Sequence, residues 1–174
     1  MGTLNSFYIR TKDSSSIAAI QKKFPSAQIE PGQEFVGVTL AQDAFEPPTT
    51  DLIALSASLG TDVIWLSFQS TVDAFEFHHW WAGTSLRSLV FGCYKEERTW
   101  DRAEGGPEAW ERAAFFETRS LQHCLRSAKT DVEKHECERI WREAEILPGR
   151  TEPNIDARES ARAAAEHYNF PGWS

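Results

Sequence analysis

Hydrophobic and polar positions alternate along the first half of the chain, then fall into a helical period beyond residue 105. From Asn5 to Thr11, Phe7 and Ile9 alternate with Tyr8 and Arg10, the period-two pattern of a strand. Asp13 or Ser14 can cap a helix that carries Ile17, Ile20 and Phe24 on one side and ends at Phe24-Pro25. A short strand over Ala27 to Ile29 and a turn at Pro31-Gly32 follow. Glu34 to Leu40 then reads as a strand with Val36, Val38 and Leu40 on one face. Pro47-Pro48 breaks the chain, and Thr50 or Asp51 caps a second helix that aligns Leu52, Leu55 and Leu59 and stops at Gly60. Asp62 to Gln69 is apolar on both faces, which predicts a central strand.

Two long strands come next, Val72 to Trp81 and Leu86 to Gly92, joined by a tight turn. Gly83 at the first position of a Gly83-Thr84 turn suits type II′ geometry. A further strand is expected near Glu97–Glu104. The order of elements predicts an α+β fold with a ferredoxin-like β-α-β-β-α-β core. Its mainly antiparallel sheet has two helices on one face and is extended by the hairpin and the further strand. Residues 1–105 form the sheet domain in this reading. Residues 106–174 form a C-terminal helical segment packed on the same domain, with helices near 107–116, 119–129, 131–146 and 156–168. Thr130 with Glu133 and Asp156 with Glu159 have capping-box spacing. Phe170-Pro171-Gly172-Trp173 reads as an aromatic hook that docks on the body.

Charge follows the same division. The first 93 residues hold 5 of the 18 basic and 9 of the 26 acidic side chains, so the remainder is far denser in charge and suits helices with solvated faces. The net charge of −8 argues against a general nucleic-acid or anionic-membrane binder and favours a basic partner. No apolar run is long enough for a membrane span, and the N-terminus lacks a secretory signal pattern. Three cysteines at unrelated spacings read as reduced thiols of a cytoplasmic protein.

His123-Cys124 and His135-Glu136-Cys137 raise the question of a metal. Helical geometry separates them, since Cys124 shares a face with Leu121 and Leu125, and Cys137 with Ile140 and Trp141. Both cysteines read as core thiols and both histidines as exposed, so no metal and no cofactor is expected. Glycine-rich phosphate loops and nucleophile elbows are missing. Arg139 stands where a His-Glu-x-x-His motif needs its second histidine.

The hairpin carries the remaining chemistry. With a Gly83-Thr84 turn, Trp80 lies opposite Arg87 and His79 opposite Ser88. One face then presents Ala74, Glu76, His78, Trp80 and Arg87, including a Trp80–Arg87 cation–π pair. The other presents Phe75, Phe77, His79, Trp81, Leu86 and Val90; being more apolar, it should face the helices. The neighbouring strand adds either Glu97, Thr99 and Asp101 or Arg98, Trp100 and Arg102.

These placements predict a non-catalytic binding module that meets a protein partner, or a second copy of itself, through the aromatic and polar face of strands 72–102. Trp80, Arg87 and Trp100 are its anchors. The alternative is a small enzyme in which Glu76 and His78, two residues apart and pointing the same way, act as an acid–base pair in a pocket between the sheet and the C-terminal helices. Aromatic side chains on such a sheet can stack bases, but the basic aromatic strand motif is missing and Glu76 sits on the face, so nucleic acid is not expected.

Overall fold

A computed structural model describes residues 2–41, 46–93 and 98–173. The strands are β1 (Thr3–Arg10), β2 (Gln28–Pro31), β3 (Phe35–Thr39), β4 (Asp62–Gln69), β5 (Ala74–Trp81), β6 (Thr84–Phe91) and β7 (Trp100–Gly105). The helices are α1 (Ser14–Lys23), α2 (Thr49–Leu59), α3 (Ala109–Phe115), α4 (Thr118–Ser127), α5 (Asp131–Glu143) and α6 (Ala157–Tyr168). The strands form one antiparallel sheet in the order β2-β3-β1-β4-β5-β6-β7. That seven-strand order differs from a four-stranded ferredoxin-like sheet, because β5, β6 and β7 continue past β4 as a meander. Glu97, the expected start of the last strand, lies outside the described residues.

Period-two patterning sorts side chains into two layers. Phe7, Ile9, Val36, Val38, Val63, Trp65 and Trp80 pack with Ile20 of α1 and with Leu52 and Leu55 of α2. The opposite face carries Tyr8, Phe35, Ile64, Leu66, Phe75, Phe77, Leu89 and Phe91 against Trp110 and Phe115 of α3 and the alanines of α6. β4 contributes to both layers, as its unbroken apolar run requires. The small face of α6, made by Ala157, Ala161, Ala164 and Ala165, lets that helix lie close to the sheet. The aromatic hook docks here too: Phe170 stacks on Tyr8 at 3.8 Å and Trp173 Nε1 donates to Tyr8 Oη at 2.8 Å.

Local signals set most boundaries. Asp13 caps α1 by accepting from the Ser16 amide, Thr130 and Glu133 form a capping box on α5, and Asp156 caps α6. Gly60 ends α2 in the left-handed region. α3 begins later than expected, with a capping box between Glu108 and Glu111.

The β5–β6 turn corrects the expected register. Its two residues are Ala82 and Gly83, both at positive φ, and Trp81 pairs with Thr84. Two positive φ values define a type I′ turn, whose twist matches that of the flanking strands. The ladder then shifts by one residue between His79 and Trp80, so His79 faces Arg87 and His78 faces Ser88.

The cysteine reading is also corrected. Cys124 and Cys137 form a disulfide between α4 and α5. Both had been assigned to inward faces, and two inward faces that meet bring the sulfurs together. They pack with Ile140 and Trp141 in a third, smaller core. Cys93 is a free thiol.

Candidate functional site

The hairpin carries two polar clusters, one on each face of the sheet. On the face of α3 and α6, His79 lies between two carboxylates. Its Nδ1 meets Glu108 Oε1 at 2.6 Å and its Nε2 meets Asp62 Oδ1 at 2.9 Å. Only the imidazolium carries a proton on both nitrogens, so this geometry selects the charged form. Burial opposes that charge, but the hydrogen bonds and charge of Glu108, and then of Asp62, outweigh it and raise the His79 pKa. Burial likewise opposes ionised Glu108, while His79, Tyr168 and Trp110 hold its carboxyl below the ordinary value. Tyr168 Oη and Trp110 Nε1 both donate to Glu108 Oε2. Beside this group, Arg87 grips Glu111 with two bonds of 2.8 and 2.6 Å and donates to the carbonyls of Glu104 and Gly105. Every partner in this cluster is engaged, and its bonds tie β4, β5 and β6 to α3 and α6. Among the described residues it is a fastening between these elements.

On the other face, Glu76 and His78 do point the same way. His78 Nδ1 is hydrogen-bonded to Ser88 Oγ at 2.9 Å, and its Nε2 lies 3.9 Å from Glu76 Oε2. Trp65 Nε1 donates to the same carboxylate oxygen at 3.3 Å. A serine, a histidine and a glutamate therefore stand in line, the residue types of a nucleophilic triad. Neither Ser88 nor His78 lines the neighbouring cavity, and both are buried.

Glu76 alone of that line reaches an opening. The cavity, of about 310 Å³, lies at the end of this face beyond the reach of α2. Strand register builds its floor: Asn5 of β1 pairs with Ser67 of β4, which pairs with Glu76 of β5. Val72 and Ala74 supply apolar wall, and Cys93 closes one side. Asn5 is 7% exposed, and its Nδ2 has no hydrogen-bond partner. Burial, then the charges of Glu76 and Asp101, push the Cys93 thiol up to about 12, so it stays protonated and is no nucleophile.

A larger cleft, about 890 Å³, lies between α4 and residues 151–156. Its charges balance, with Arg98, Arg119 and Arg126 beside Glu117, Glu152 and Asp156, and among the described residues none of its lining side chains holds a buried polar atom without a partner. Among the described residues no three His, Cys, Asp or Glu groups are placed to hold a metal ion. His123 and His135 are exposed.

The expected anchors are thus displaced from the surface. Glu76, His78, Trp80 and Arg87 are each at most 5% exposed, and Trp100 is fully buried. The one-residue slip carries Arg87 to the face of His79, so no Trp80–Arg87 pair forms. Trp80 stacks on His78 instead, and Trp81, expected to face helices, is exposed. Trp100 packs on Phe91 and Phe115 and donates to the Pro153 carbonyl. Sequence reasoning missed Asn5 and Ser67. Their signal was present, since each is a polar residue on the inward face of a strand whose other inward positions are Phe7 and Ile9 or Val63 and Trp65.

Compared with known proteins, the chain matches no family model, no curated protein and no solved structure.

Proposed function

We propose that this is a non-catalytic binding protein that takes a small molecule in the cavity formed by Asn5, Ser67 and Glu76. The observation that carries the reading is the Asn5 amide, nine-tenths buried on the cavity wall with a donor that nothing among the described residues satisfies. An unmet buried donor costs about 1–3 kcal/mol, and a ligand acceptor removes that cost on binding. The cavity has the size and the mixed apolar and polar lining of a small-molecule site. Partner binding through Trp80, Arg87 and Trp100 is not retained, because those side chains are buried.

Catalysis by Glu76 and His78 is the second reading, favoured only by their alignment with Ser88. It lacks a path for substrate to Ser88. We further propose that β1 to β4 with α1 and α2 form a ferredoxin-like core, and that residues 106–174 are a helical segment packed on it. The adjacency of β1 with β3 and β4, and the shared core of α3 and α6 with the sheet, support this. A net charge of −8 speaks against nucleic acid as the ligand.

A small-fragment screen read by amide NMR tests the site. Hits are expected to shift Asn5, Ser67, Glu76 and Gly92, and Asn5→Leu is expected to abolish them while the rest of the spectrum stays folded. Hits confined to the cleft beside α4 would overturn the assignment.

A further inference from the structure

Resting on that site, we infer the class of its ligand: a small organic ammonium whose neighbouring carbon bears a hydrogen-bond-accepting oxygen, with a compact apolar group beyond. Three features of the cavity carry this. The first is charge. Glu76, 5% exposed, and the exposed Glu46 both line the cavity, and no Lys or Arg among the described residues does. Among the described residues, a lining with two carboxylates and no cation repels anions and attracts a cation, the more so because Glu76 is shielded from water.

The second feature is the Asn5 amide. Its donor is buried and unmet on the same wall, one strand beyond Ser67 from Glu76. A donor needs an acceptor, and an ammonium offers none. The ligand must therefore bring an oxygen as well as the charge. The third feature is the apolar wall of Val72 and Ala74, which calls for a small hydrocarbon or aryl group on the ligand. A metal ion fits less well, since no three ligating side chains converge there among the described residues.

Positioning of Glu76 also belongs to the site. Trp65 Nε1 donates to Oε2, which orients the carboxylate before a ligand arrives, while His78 Nε2 stands 3.9 Å from the same oxygen.

Three probes of nearly equal shape separate the terms: 2-amino-1-phenylethanol carries both groups, 2-phenylethylamine lacks the oxygen, and 1-phenyl-1,2-ethanediol lacks the ammonium. Dissociation constants come from titrations followed at the amides of Asn5, Ser67 and Glu76. The amino alcohol is expected to bind tightest, the diol about tenfold or more weaker, and the amine several-fold weaker, as the loss of a charged and of a neutral hydrogen bond imply. Glu76→Gln is expected to erase the preference over the diol, and Asn5→Ala the preference over the amine. The comparison within the unaltered protein stands even if a variant fails to fold. If the diol, or phenylacetate as an anionic control, binds at the same amides as well as the amino alcohol does, the ligand class is wrong and the cavity remains a site. If none of the four compounds shifts those amides, the inference falls together with the proposed site.

Discussion

His79 is a residue on which several separate elements depend. Its imidazolium joins Asp62 of β4 to Glu108 at the start of α3, and Glu108 is bonded in turn to Tyr168 of α6. The pH dependence follows from the direction of each shift. The His79 pKa is raised above its ordinary 6.5, so its contribution is fully present below that value and is lost as pH rises through the folded pKa. The Glu108 pKa is lowered from 4.5, so its contribution is present above that value and is lost as pH falls through the folded pKa. The network is therefore firmest between about 4.5 and 6.5. Urea midpoints measured from pH 6 to 9 are expected to fall in the parent protein, and His79→Gln should flatten that fall. An equal slope in both would remove His79 from the account. Arg87 and Glu111 make a comparable test without titration. Arg87→Met leaves a buried carboxylate alone and is expected to cost about 3–5 kcal/mol, whereas Arg87→Met with Glu111→Met should recover most of it. If the double variant is as unstable as the single one, the pair contributes more than mutual neutralisation.

The elements show which parts of a sequence speak locally. Caps at Asp13 and Thr130, the stop at Gly60 and the two-faced run of β4 rest on neighbours within a few residues, and each falls where its pattern puts it. The hairpin register does not. Gly83 suits either turn position, and the choice of Ala82-Gly83 places an alanine at φ +46°, which no local preference for glycine signals. Contacts from elsewhere accompany that choice: the Gly83 amide donates to Ser56 Oγ of α2, and a side chain at Gly83 would press on Ala57. The register then decides where Arg87 stands, because one residue of slip moves it to the face of His79. The disulfide was half visible. Inward faces for Cys124 and Cys137 followed from helical period, but their meeting depends on how α4 packs on α5. Closing a loop of 13 residues' separation contributes about 3 kcal/mol in the chain-entropy account. Cys124→Ser with Cys137→Ser is expected to raise amide hydrogen exchange across residues 118–143 and to leave β4 and β5 protected. Unchanged exchange in α4 and α5 would show that Ile140 and Trp141 hold the pair unaided.

At the scale of the whole molecule, the sheet is covered twice, by α1 and α2 on the face of Glu76, His78 and Trp80 and by the C-terminal third on the other, so the open face expected on the hairpin does not exist. A sheet seven strands wide exposes two apolar faces, and α1 with α2 can bury only one. Charge density reads residues 106–174 as helices with solvated faces packed on the sheet domain. The apolar minority there, Trp110, Phe115, Ile155, the α6 alanines and Phe170, completes the larger of the two main clusters. A cover of this kind buries Trp100, and the gap at Asn5, Ser67 and Glu76 lies at the end of the opposite face. The cover also sets how the protein unfolds. Phe170 stacks on Tyr8, meets Phe35 edge-on and lies parallel to Tyr168, so it joins β1, β3 and α6 at one point. Phe170→Ala is expected to cost about 3–5 kcal/mol, the usual range for emptying a large buried aromatic site. If sheet and cover share one core, calorimetry of the variant will show a single transition at lower temperature, with protection of β1 and α6 lost together. Two separated transitions, the first limited to residues 106–173, would mean that the sheet stands without its second cover.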